Sequence, residues 1–283
     1  DYFVAEYNAG RTPNPCVRCN DWLKFGKMFD YARSIDADYV ASGHYARTER
    51  DPATWGTDHT VLLRGVDAHK DQSYVLFGTK QDRLDRMILP IGRFHKKDVR
   101  RMAEQRGLPV FDKPDSYEIC FVPDNDYRGF VEKHSPGSAE AGVLQDTDGH
   151  TLGEHSGHQH YTIGQRRGLP VALGRPAYVV DKDATTNVVT LGVREDLLCE
   201  SLEADQTNWF PPEAAPTDPK PCTVKIRSNS PPTPGRVVAL DGGARLRVTF
   251  DEPQSAVSPG QAVVCYDGER VIGGGWITRA QKA

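Results

Sequence analysis

Apolar positions along the chain change period several times, and the changes mark its elements. Asp1-Tyr-Phe-Val-Ala-Glu-Tyr7 has the spacing of an amphipathic helix already under way. Residues 8–20 break that pattern with two Pro, one Gly and three Asn, which predicts a loop. Asp21 is then placed to cap a helix whose apolar stripe is Trp22, Phe25, Met28, Phe29 and Ala32. Ala37–Ser42 predicts a short strand that ends in Gly43-His44-Tyr45. A helix followed by a short apolar strand ending in Gly is the rhythm of an α/β domain. Ligands of open α/β sheets collect beyond the carboxyl ends of strands, so Gly43 and His44 are placed for function.

Thr60–Arg64 predicts another strand, and Lys70–Phe77 turns from polar into helical spacing. Residues 79–106 predict a basic helical stretch stopped by Gly107, with nine Lys/Arg against four Asp/Glu. Such a run is ordinarily a solvated face. Residues 112–123 predict a loop entering a short strand, and a short helix follows near 125–134. Asp148-Gly149 marks a hairpin turn. From about residue 193 the pattern is all-β. Arg236–Leu240, Arg245–Phe250, Ala262–Tyr266 and Val271–Thr278 are β-branched runs split by Asp-Gly and Pro-Gly turns, which predicts a small barrel or sandwich.

Composition narrows the class. With 283 residues, 38% hydrophobic and 26% charged, the chain is a globular protein of about two domains, or three small ones, rather than a disordered one. No apolar run approaches the ~20 residues of a membrane-spanning helix, and no signal peptide is legible. Because the chain opens at Asp1 inside a helical pattern, it is expected to lack its true N-terminus. The net charge of −4 excludes a uniformly basic nucleic-acid coat but leaves room for a local basic face.

The six Cys are too sparse for a disulfide scaffold and read as free thiols of a reducing compartment. Cys199, Cys222 and Cys265 read as packing residues. Cys16-x-x-Cys19 has three readings: half a zinc site completed by His155, His158 and His160, a redox pair, or one reactive Cys with a chance neighbour. A helix starting just after Cys19 would favour a thiolate there. Cys120, between Ile119 and Phe121, reads either as an inert buried thiol or as a functional one, given Lys113, Asp115, Ser116 and Glu118 before it. Arg166 and Arg167, in Tyr161-Thr-Ile-Gly-Gln-Arg-Arg-Gly-Leu169, suit phosphate contact or a polar loop.

Six motifs occur in order: Gly10-Arg-Thr-Pro-Asn-Pro-x-x-x-Cys19-Asn20, Ser42-Gly-His-Tyr45, Lys70-Asp-Gln-Ser-Tyr74, Asp115-Ser-x-x-Ile-Cys-Phe121, Tyr161-Thr-Ile-Gly-Gln-Arg166 and Ser258-Pro-Gly-Gln261. Each alone is weak. The ordered set closely resembles the bacterial-type tRNA-specific 2-thiouridylase family (MnmA type) along essentially the whole chain.

The resemblance implies an α/β fold: part of an adenine-nucleotide alpha-hydrolase-like (ATP-pyrophosphatase) parallel-sheet domain over 1–122, a small central domain over 123–192, and a C-terminal antiparallel β-barrel over 193–283. The family's phosphate-binding Ser-Gly-Gly-Val-Asp-Ser loop does not occur in the sequence, in line with the expected truncation. The implied reaction uses ATP with Mg2+ to adenylate C2 of the wobble uridine of tRNA. A cysteine persulfide then supplies sulfur, and AMP leaves.

By motif match Cys120 carries the persulfide, and Cys19 is its partner, releasing the sulfur through a transient disulfide. Gly43 matches a nucleotide-contacting Gly. His44 and Gln261 match tRNA contacts, Asn14, Pro15 and Cys16 match the segment beside the target base, and Lys70, Asp71 and Gln72 match a further tRNA-contacting segment. Arg227 and Ser228 stand where the family has an Arg-Tyr pair at the tRNA, with Ser228 replacing the aromatic. The wobble base is expected to leave its stack to reach the cysteines. The implied partners are tRNA and a persulfide donor (a cysteine desulfurase or a sulfur-relay protein), the implied location is the cytoplasm, and no tightly bound metal is expected. The competing reading is a non-catalytic RNA-binding module.

Overall fold

The computed structural model describes residues 2–114, 119–122, 124 and 126–283. The first part opens with α1 (Tyr2–Asn8), α2 (Pro15–Arg18), a π-helical stretch (Cys19–Lys27) and α3 (Met28–Ser34). It continues through β1 (Val40–Ala41), β2 (Ala46–Glu49), α4 (Pro52–Trp55) and β3 (Val61–Arg64), then α5 (Gln81–Leu84), β4 (Met87–Ile88) and α6 (Lys96–Gln105). α7 (Tyr127–His134), β5 (Gly142–Gln145), β6 (Thr151–His155), β7 (Tyr178–Asp183) and β8 (Val188–Gly192) follow. The last third is β9 (Leu198–Trp209), β10 (Lys220–Lys225), β11 (Thr233–Leu240), β12 (Arg245–Ser255), β13 (Ala262–Asp267) and β14 (Arg270–Lys282).

β10, β11, β12, β9, β14 and β13 pair in that order, and β13 pairs back onto β10. All these pairs are antiparallel, so the six strands close a barrel with no free edge. Its interior is apolar, built on Leu202, Val237, Leu246, Val248, Val263 and Ile277. A four-stranded sheet, β6-β5-β8-β7, forms the central part around Leu144, Val179, Val189 and Leu191. β1 and β4 make a parallel pair, as the α/β rhythm requires. Among the described residues, no helix is long and apolar enough to cross a membrane.

Two expectations are corrected. The helix expected at Asp21 begins at Pro15. The Asn14 side chain accepts a hydrogen bond from the Val17 amide at 3.3 Å, and Pro15 has the first-turn position where its missing N–H costs nothing. Residues 79–106 are not one helix. Pro90 and Gly92 interrupt them, buried Met87 joins the parallel pair, and only 96–105 remain a longer helix. The barrel sheet also takes in strands from the first part of the chain. The β2–β3 hairpin extends the barrel sheet where Leu63 meets Arg270 of β14.

The first part and the barrel therefore share a core. The 3-10 turn Ser73–Leu76 and Phe77 pack with Tyr266, Val271 and Trp276. Gly274 makes room for this, since a Cβ there would come within 2.9 Å of the Phe77 ring.

Across the barrel wall, Glu203 is buried and receives Arg247 at 2.7 Å, Arg279 at 2.9 Å and Arg245 at 3.3 Å. Hydrogen bonds from Arg279 and Arg247 hold its carboxyl at about 2, against 4.5 ordinarily. A depressed carboxyl stabilises the fold fully above the unfolded value and ceases to do so as pH falls through the folded one. Between pH 4.5 and 2 the unfolding free energy of the native chain is therefore expected to fall more steeply than that of Glu203→Gln. Parallel slopes in urea unfolding across that window count against this assignment.

Candidate active site

The site grows from the N-terminus of α2. Cys16 sits in its first turn, exposed, and Cys19 follows one turn later, half-buried, where the π-helical stretch begins. An i, i+3 spacing puts both thiols on one side of the helix. The helix-terminal position expected for Cys19 thus belongs to Cys16. Asn20 anchors the turn, its side-chain amide donating to the Cys16 carbonyl at 2.9 Å. Protein atoms around the Cys16 sulfur push its pKa up, and the charges of Cys120 and then Cys19 push the same way, while Lys24 opposes them. Both other thiols therefore lie within electrostatic reach of Cys16, although Cys120 is about a hundred residues further along the chain.

Cys120 is itself exposed, which sets aside the buried inert reading. Its neighbours hold it in place: Ile119 packs with α1 and α7, and the Phe121 ring lies 5.3 Å from Phe3 and 5.4 Å from Phe130. Asp115, Ser116 and Glu118 lie outside the described residues. The six cysteines are free thiols in this structure.

The segment before Cys16 is clamped to the barrel. Gln261 donates to the carbonyls of Thr12 (3.0 Å) and Pro13 (3.1 Å) and accepts from Asn14 at 3.4 Å. The Thr12 amide donates to Pro259 at 2.8 Å. Pro15 fills the first helical position. Arg227 donates to Ser258 (2.8 Å), Ala256 (3.1 Å) and Ile163 (3.3 Å), tying the barrel to the central domain, and Ser228 is exposed beside it. Asn14, Gln261 and Arg227 therefore hold backbone in this structure.

The remaining expected residues form a second group. Gly43 follows β1, as expected at a strand's carboxyl end. A Cβ at Gly43 would meet only Ile91, at 3.8 Å. His44 is buried against the Phe25 ring, with Nδ1 sharing a 2.7 Å hydrogen bond with Ser42. Burial, and then Lys24, push its pKa down to about 4, so it is neutral near pH 7. Asp71 accepts from the Gly65 and Ser73 amides, both at 3.0 Å, and Gln72 accepts from the Tyr45 amide at 2.9 Å. Lys70, partly exposed, precedes them.

Two residues of the site were not singled out in the sequence. Arg18 lies between the two cysteines. Its guanidinium stands 3.8 Å from the Trp276 ring centre, 4.8 Å from Trp22 and 5.2 Å from Tyr2, and donates to Gln206 at 2.7 Å. It locks the cysteine helix to β14 through cation–π contacts. Lys24, whose charge reaches both Cys16 and His44, is the second. An Arg within Cys-x-x-Cys was the only local sign of either.

The zinc reading finds no support. His158 is engaged with Asn187 (3.1 Å) and the Asn8 carbonyl (3.2 Å), His155 with Asn187 (3.2 Å) and Gly157 (3.0 Å), and His160 with Ser156 (3.2 Å). Among the described residues these ligand atoms do not converge with those of Cys16 and Cys19.

Known proteins match along the chain. The tRNA methyl transferase HUP domain matches residues 1–124, the tRNA methyl transferase PRC-barrel domain residues 128–193, and the aminomethyltransferase β-barrel domain residues 199–277. A tRNA-specific 2-thiouridylase MnmA of Rhodopirellula baltica is 50% identical, over 99% of this chain and 70% of its own. Proteins of the same name are 44% identical in Halothermothrix orenii (97% of this chain, 75% of that one) and 42% identical in Clostridioides difficile (99% and 76%). With three domain matches in order and relatives this similar over nearly its whole length, the chain belongs to the MnmA family of tRNA-specific 2-thiouridylases.

Proposed function

We propose that this chain performs the sulfur-transfer chemistry of an ATP-dependent tRNA-uridine 2-sulfurtransferase. The observation that supports the reading is that Cys120, exposed and about a hundred residues further along the chain, lies within electrostatic reach of Cys16, whose helix turn also carries Cys19.

The chemistry follows from what each group can do. The C2 carbonyl of uracil is a poor electrophile, and adenylation turns its oxygen into a leaving group. A persulfide on Cys120, loaded by a desulfurase or a relay protein, attacks C2 with its terminal sulfur. The C2–O bond breaks, and AMP leaves with the electron pair. The Cys19 thiolate then attacks the Cys120 sulfur. A Cys19–Cys120 bond forms, the bond to the transferred sulfur breaks, and that electron pair stays on the sulfur of 2-thiouridine. The disulfide must afterwards be reduced, which suits the cytoplasm.

Gly43 offers an uncrowded backbone for a nucleotide contact. No Ser-Gly-Gly-Val-Asp-Ser run occurs in the sequence, so adenylation with ATP and Mg2+ is assigned to no residue here. Asn14, Pro15, Cys16, His44, Lys70, Asp71, Gln72, Arg227, Ser228 and Gln261 frame the tRNA side. Of these, the clamped Asn14, Gln261 and Arg227 act by fixing the backbone that the RNA meets, and buried His44 is held by Ser42 and the Phe25 ring.

Peptide mapping after a single turnover tests the proposal. With persulfide-loaded protein and adenylated tRNA, a Cys19–Cys120 linked peptide is expected in step with 2-thiouridine. Turnover that leaves both cysteines alkylatable overturns the disulfide step.

A further inference from the structure

Residues 164–177 form a loop of the central domain that the sulfur chemistry does not use. We propose that this loop is an RNA-backbone contact surface, with Arg166, Arg167 and Arg175 taking phosphates of the tRNA whose uridine enters the cysteine site. The inference rests on the tRNA reading above.

Position is the first argument. The loop leaves Ile163, whose carbonyl is held by Arg227. Arg227 also holds Ser258, and the Ser258–Gln261 turn clamps Thr12, Pro13 and Asn14 beneath Cys16. A hydrogen-bonded path thus runs from the segment before the cysteine helix to Ile163, where the loop begins. The loop is also shaped rather than loose. The Gly164 amide donates to Val179 at 2.8 Å, Val179 donates to Gln165 at 2.9 Å, and the Gln165 side chain donates to the Arg167 carbonyl at 3.0 Å. Leu169, Val171 and Leu173 pack on the central core and leave a cavity of about 460 Å³ edged by Arg166 and Arg175.

Charge is the second argument. All three arginines are exposed, and among the described residues none of their side chains has a carboxylate, hydrogen-bond or ring partner. No Asp or Glu occurs between Glu154 and Asp181. The other cationic stretches differ. In and around α6, Arg101 pairs with Asp98, Arg93 with Glu49, and Arg100 donates to the Lys113 carbonyl. On the barrel, Arg245, Arg247 and Arg279 converge on Glu203. The loop thus presents three exposed arginines whose side chains are unneutralised, and the guanidinium fork suits phosphate oxygens.

The test is tRNA binding by the purified protein, with unmodified tRNA carrying uridine at the wobble position, measured across salt concentrations. Arg166→Gln/Arg167→Gln/Arg175→Gln is expected to make the dependence of log K on log salt shallower by about 2, and to weaken binding about a hundredfold at 0.1 M salt. Its thermal unfolding should match the native chain, since all three side chains are exposed. The corresponding triple Lys variant should keep most of the slope. Equal affinity and slope in the Gln variant and the native chain overturn the proposal while leaving the tRNA reading intact. A native chain that does not bind tRNA defeats that reading itself. A Gln variant that binds tRNA normally but no longer accepts sulfur from a persulfide-donor protein assigns the loop to a protein partner instead, and also overturns the proposal.

Discussion

Cys120→Ser and Cys19→Ser are each expected to abolish 2-thiouridine formation, by about 10³-fold or more, with tRNA affinity unchanged. The two losses differ in kind. Serine at 120 has no sulfur to carry, so the protein cannot be loaded and uridine is recovered unmodified. Serine at 19 leaves Cys120 able to accept a persulfide but removes the thiolate that cleaves it, so sulfur should accumulate on the protein or on a protein–tRNA adduct. Cys16→Ser is the internal control. The Cys16 thiol is pushed up by its surroundings and by both other cysteines, which disfavours the thiolate a nucleophile needs. Most activity should therefore survive its loss. Quantifying 2-thiouridine by nucleoside mass spectrometry in all three variants separates these roles. Near-normal product with serine at 19 or 120 removes that residue from the route. Loss of product only with Cys16→Ser would move the nucleophile to the first turn of α2.

Local patterning made much of this molecule legible before its structure. The β-branched runs after residue 193 are barrel strands because alternation and turn residues agree there. The strand before Gly43 and the strand over Val61–Arg64 stand where spacing put them. The failures have physical causes. Pro13 and Pro15 looked like loop residues, but Pro15 is a helix initiator once Asn14 caps it. The charged excess over 79–106 hid the buried Met87 and the break at Pro90 and Gly92. Pairing of the β2–β3 hairpin with the barrel is a long-range choice that neither partner announces. In the candidate site, motif order singles out the cysteines, but Arg18 acquires its meaning only from Trp276, far along the chain. Similarly, the sequence marks Gln261, Asn14 and Arg227 as RNA contacts, whereas their side chains in the structure hold the protein's own chain.

The largest expected loss of stability comes from a residue with no side chain. Gly92→Ala should destabilise the chain by about 3 kcal/mol, the upper part of the range for overpacking. A Cβ at Gly92 would overlap the carbonyl of Ala46, the first residue of β2. The obstacle is backbone, so no rotamer change relieves it. The Gly92 carbonyl also receives the Val66 amide at 2.9 Å, which restrains the turn from moving away. Gly107→Ala supplies the contrast. Its φ is +66°, and nothing lies within 4 Å of a Cβ there, so it meets only the left-handed penalty of about 1 kcal/mol. Urea unfolding of both variants should therefore separate steric exclusion from backbone preference, and equal midpoints would show that the turn yields. Ala46 follows Gly43-His44-Tyr45 directly, and the Tyr45 amide holds Gln72. A displaced β2 therefore disturbs Gly43 and Gln72 together, the positions proposed above for nucleotide and tRNA, and on that proposal Gly92→Ala should weaken tRNA binding even under conditions where the chain remains folded.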